Sequence, residues 1–154
     1  METDKEFLAV KVMTATPLEL LDIAYEGLID SLKEALEAPN DEIYYKSMNK
    51  AHDLLAELLK SLDMNQEISK DLMALYFYVQ KLIVPAKIKR NNKKVEESIK
   101  ILTPLHNSWH ELAMEEEKLQ TNNNYKKQTF VVAGMTYGKS DIDMVGNFGS
   151  EFKA

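Results

Sequence analysis

From Leu18 to Leu112, apolar residues recur at steps of three and four. A strand would repeat every two residues, so this spacing calls for helices, each with one apolar stripe to bury against a neighbour. The first stripe is Leu18, Leu21, Tyr25, Leu28, Leu32 and Ala35, and the second is Tyr44, Met48, Ala51, Leu55, Leu58 and Leu62. The third holds Ile68, Leu72, Leu75, Tyr76, Val79, Leu82 and Ile83, and the fourth Val95, Ile99, Leu102, Leu105, Trp109 and Leu112. Thr16-Pro17-Leu18-Glu19 predicts the first start: Thr at the N-cap, Pro at the first helical position, and Glu19 reaching back to the cap amide. Pro39-Asn40 ends that helix, and the others are predicted over about 41–62, 66–90 and 93–117. Pro85 and Pro104 fall inside the last two spans, where a missing N–H and a ring clash predict a kink or an early end. Gly27, in the middle of the first helix, suits either close approach by another chain or simple tolerance. Helices of about 22–25 residues run ~33–38 Å. Four of matched length with short connections predict an all-α, antiparallel four-helix bundle.

The stripes stop near residue 118, and four of the five glycines (134, 138, 146 and 149) lie beyond it. Residues 1–117 are therefore read as the domain and 118–154 as a flexible or fold-back tail. Within the tail, Thr129-Phe130-Val131-Val132-Ala133 suits a short strand, and Tyr137, Met144, Phe148 and Phe152 are spaced as anchors. Cysteine is absent, which removes disulfides, thiolate metal sites and cysteine nucleophiles. The formal charge of −6 argues against a nucleic-acid partner. No apolar run reaches the ~20 residues of a membrane span, and the opening METDKEF lacks a signal-peptide pattern, so a cytosolic protein is expected. Acids crowd residues 17–38 and bases crowd residues 81–100. These are two faces that attract one another or, on the sharper reading, a basic end for an acidic partner.

Three histidines are the chemical candidates. His106 and His110 stand four apart, on one face of a helix, yet no third ligand lies near in sequence and no Glu-x-x-His pair occurs, so no metal is expected. His52, exposed on a bundle, has the setting of a histidine phosphotransfer domain, but Leu55 and Ala56 stand where that family has Lys and Gly. With no Gly-rich phosphate loop and no Ser beside a His, neither catalysis nor a cofactor is expected. A binding role has more support. Tyr76, Phe77 and Tyr78 are consecutive, so at least one faces outward, and exposed aromatics on a bundle suit docking of an amphipathic helix.

Several segments in order resemble the FliS family of flagellin-specific export chaperones. Val12-Met13-Thr14-Ala15-Thr16-Pro17, followed by Tyr25-Glu26-Gly27, resembles the family's opening, with Ala24 and Glu26 as departures. Phe7 stands at a family Tyr, and Ala51 to Leu62 resembles the second helix. Leu75-Tyr76-Phe77-Tyr78, Ala86-Lys87-Ile88-Lys89-Arg90-Asn91 and Ser108-Trp109 resemble later family segments. The resemblance covers about residues 7–117. It implies a four-helix bundle that binds the C-terminal region of flagellin, prevents premature polymerisation, and aids delivery to the flagellar type III export gate. Tyr25, Leu28, Tyr76, Ile83 and Trp109 are the expected client groove. Phe7 and Leu8 belong to an N-terminal cap segment over part of that groove. The eight methionines suit a surface that adapts to varied partner side chains. The alternative is a non-enzymatic helical adaptor that forms a homodimer through its aromatic face.

Overall fold

In a computed structural model the described residues are 2–121; the strand and anchor positions expected in the tail lie outside them. Those residues form five helices and no strand: α1 (Glu2–Thr14), α2 (Pro17–Glu37), α3 (Asp41–Lys60), α4 (Glu67–Ile88) and α5 (Asn92–Thr121). The N-terminal segment, expected only as an apolar cap, is thus a helix, and the first four tail positions continue α5. Helix α2 packs against α3 and α5, and α4 packs against the same two, so the long helices form a bundle around a shared core. No helix among the described residues is long and apolar enough to cross a membrane.

The first two stripes are buried along their full length, from Leu18 to Ala35 and from Tyr44 to Leu62. Thr16 Oγ1 caps α2 by accepting the Glu19 amide at 3.2 Å. Glu19 Oε1 takes the Thr16 hydroxyl at 3.2 Å rather than the expected cap amide. Asn40 Oδ1 caps α3 through the Ile43 amide at 2.9 Å. Pro85 does not end α4, which continues to Ile88, and Pro104 lies inside α5. Both prolines are exposed, as are Lys81 and Lys100 one turn earlier, whose carbonyls lose a helical partner. Gly27 is half-buried and lines a cleft together with Phe7 and Leu8 of α1.

The end of α4 is closed by residues from α3. The Tyr44 hydroxyl donates to Ala86 O at 2.6 Å, and the Tyr45 hydroxyl donates to Ile88 O at 3.2 Å. These carbonyls belong to the last turn of α4, where a helix runs out of its own donors. Arg90 follows directly. It donates to Ala38 O at 2.9 Å, lies 4.7 Å over the Tyr44 ring, and pairs with Asp41 at 3.5 Å. Asp41 lies at the α2–α3 turn, just beyond the acidic segment 17–38, so this pair is not the attraction expected between the two charged segments.

Candidate functional site

Stripes three and four are buried only in part. Ile68 is 43 % exposed, and Leu75, Leu105 and Leu112 are half-buried, although their spacing marks them as core positions. Ile68, Leu72 and Leu75 form one rail along α4, and Leu105, Trp109 and Leu112 form another along α5, each with steps of four and three. Between the rails lies an open groove of about 440 Å³ whose only polar lining residues are Asp71 and Ser108. Seven residues of helix make each rail ~10 Å long, enough for about two turns of a partner helix. Apolar side chains at helical spacing, with no helix among the described residues over them, are the arrangement that accepts an amphipathic helix.

Trp109 is the one expected groove residue that lines this groove. It is 6 % exposed. The Tyr25 ring packs against it with centroids 6.5 Å apart, and the Tyr76 ring lies 6.2 Å from that of Tyr25. The two tyrosine hydroxyls share a 2.6 Å hydrogen bond. Burial pushes the Tyr25 hydroxyl up to about 12, the Tyr76 hydroxyl holding back part of the rise. Tyr25 is therefore a neutral hydrogen-bonding group at any physiological pH. Leu28 and Ile83 have no exposed surface. Of the aromatic triplet, Tyr76 faces the core, Phe77 is exposed, and Tyr78 is exposed with its hydroxyl donated to Glu97 at 2.8 Å.

Phe7 and Leu8 line a different cleft, with Ile23, Glu26 and Gly27 of α2 and Lys50 of α3. It shares no lining residue with the α4–α5 groove. Leu8, Ala9 and Val12 anchor α1 to the bundle, whereas Phe7, Val10 and Met13 are exposed at 70 %, 60 % and 65 %.

The histidines have partners that sequence distance concealed. His106 and His110 both face Asp22 of α2: His106 Nε2 lies 3.0 Å from Oδ1 and His110 Nδ1 lies 2.9 Å from Oδ2. That carboxylate raises the His110 pKa above the ordinary imidazole range. His52 Nδ1 lies 3.4 Å from Lys87 Nζ, so α4 places a lysine beside it that the local sequence lacks.

Comparison with known proteins decides the family. The family described as "Flagellar protein FliS" matches residues 3–117, most of the chain and part of all five helices. The chain belongs to the FliS family. It is 32 % identical over 110 residues to the flagellar secretion chaperone FliS of Bacillus subtilis (strain 168), covering 70 % of this chain and 83 % of that protein. The FliS match contains both rails of the groove and all three histidines.

Proposed function

We propose that this FliS-family chain is a cytosolic flagellar export chaperone that holds the C-terminal region of flagellin as an amphipathic helix along the α4–α5 groove. The observation that carries this reading is the pair of uncovered apolar rails on either side of Trp109. The connections joining α2 to α3, α3 to α4 and α4 to α5 are short. With each long helix touching two others, they support the antiparallel four-helix bundle expected for the family. A flagellin end held against the rails has its apolar face covered and cannot polymerise until the export gate takes it.

Binding of this kind needs no cofactor and no covalent step. Burial contributes ~25 cal/mol per Å² of apolar surface, less the cost of ordering the client. Many modest contacts give a complex that forms and releases. Trp109 meets the client directly, with the Tyr25 ring packed against it. Leu28 and Ile83, also expected in the groove, reach a client only when α4 and α5 part.

The test is co-purification of the full chain with flagellin, intact and lacking its last ~40 residues, about two helices' length. Ile68→Glu puts a charge on an exposed rail and is expected to weaken binding by at least about tenfold (1.4 kcal/mol) with the melting temperature nearly unchanged. Equal capture of intact and shortened flagellin would remove the C-terminal client. Normal binding by Ile68→Glu would remove the groove.

A further inference from the structure

We propose that Asp22, His106 and His110 form a binding site for a divalent transition ion of the Zn²⁺ type, which ties α5 to α2 independently of any client. Asp22 projects from α2, and the histidines, one helical turn apart, project from the facing side of α5. One donor atom from each residue falls within a cluster whose separations are all 4.8 Å or less. Tetrahedral zinc, with ligands at ~2.0–2.1 Å, needs donor separations of about 3.4 Å. The two histidine–carboxylate pairs, at 3.0 Å to Oδ1 and 2.9 Å to Oδ2, are already near that value. The remaining adjustment is within the reach of side-chain rotation.

A second observation points the same way. His106 Nε2 and Asp22 Oδ1 are both buried and, although 3.0 Å apart, lack the angles of a hydrogen bond. Buried polar atoms without partners are uncommon and costly. A cation between them satisfies both lone pairs. Two imidazole nitrogens and one carboxylate oxygen favour Zn²⁺ or its neighbours over Mg²⁺ or Ca²⁺, which prefer all-oxygen shells. The exposed side of His110 leaves the fourth position open to water. Glu26 of α2 and Lys11 of α1 also act on His110, with opposite signs.

The experiment uses the full chain, freed of metal by chelation, titrated with Zn²⁺ and, for its absorption spectrum, with Co²⁺. One equivalent is expected to bind, to give a tetrahedral Co²⁺ spectrum, and to raise the melting temperature. His110→Gln changes an exposed side chain and keeps the fold. It is expected to weaken binding by more than about 100-fold, since loss of a supporting group alone costs 10–100-fold. His106→Gln should do the same, and His52→Gln should change nothing. Failure to bind Zn²⁺, binding that survives both His106→Gln and His110→Gln, or equal loss in His52→Gln would overturn the proposal.

Discussion

Tyr44 and Tyr45 allow a test in which neighbouring residues lose the same atom in different surroundings. Tyr44→Phe removes a hydroxyl from a side chain that is 1 % exposed. That hydroxyl donates to Ala86 O at 2.6 Å and accepts the Asn91 amide at a long 3.5 Å. The phenyl ring fills the same space, so no cavity term arises and the change is confined to hydrogen bonding. A buried acceptor left without its donor costs about 1–3 kcal/mol. The Asn91 contact adds little at its length. At roughly 4 °C per kcal/mol for a chain of this size, the melting temperature should fall by about 4–12 °C. Tyr45→Phe removes a hydroxyl at 3.2 Å from Ile88 O on a residue 43 % exposed. Water replaces that donor, so the expected cost is at most about 0.5 kcal/mol, or roughly 2 °C. Thermal and urea unfolding followed by circular dichroism read both variants. Equal losses, or a Tyr44→Phe loss below about 0.5 kcal/mol, would show that the α3 tyrosines do not complete the last turn of α4.

Glu116 is fully buried, and burial raises its pKa above 4.5, with a Thr16 contact lowering it and the Glu19 charge adding to the rise. The folded state then keeps a proton that the unfolded chain releases, so stability falls as pH rises from 4.5 through the folded value; Glu116→Gln should stabilise the protein at neutral pH and flatten that fall in melting temperature, and an unchanged slope would refute it. Deleting residues 2–10 removes Leu8 from its packing on the bundle core but nothing from the α4–α5 rails, so calorimetric titration with a flagellin peptide should give the same affinity as the full chain. A higher affinity, with more self-association of the free protein, would instead make α1 the cap over the client's groove. Trp109→Ala should lower client affinity and stability together, by about 3–5 kcal/mol of stability, because its ring belongs to both core and groove.

Much of the architecture was legible because helix signals are local. The Thr16 and Asn40 caps, Pro17 and the four stripes all act within a few residues, and α2 and α3 start where those signals stand. Helix α1 was not legible as a helix, since its apolar residues cover more than one face: Leu8, Ala9 and Val12 turn inward while Phe7, Val10 and Met13 turn out. Of the two outcomes Pro85 predicts, a kink or an early end, the early end does not occur: α4 runs on to Ile88 with the proline exposed. The tyrosine closure of α4 and the Lys87–His52 contact join residues 42 and 35 positions apart, which no local pattern displays.

The groove and the histidine cluster were hidden for opposite reasons. In the groove every residue carries the core signature, and Ile68, Leu75, Leu105 and Leu112 sit at the same steps as side chains that are fully buried. Periodicity states which way a side chain faces along a helix; it does not state whether another helix covers that face. The proposed function requires this ambiguity, because a surface that holds an amphipathic helix must itself look like core. Tyr25, Leu28, Tyr76 and Ile83 carry the same signature and are fully buried. Among the histidines the local reading was sound as far as it went: His106 and His110 share a face, and no third donor lies near. The donor comes from Asp22, across the α2–α5 interface and 88 positions from His110. A helix supplies ligand pairs through its own repeat, but a third ligand comes from packing, and packing is the step at which sequence spacing stops being informative.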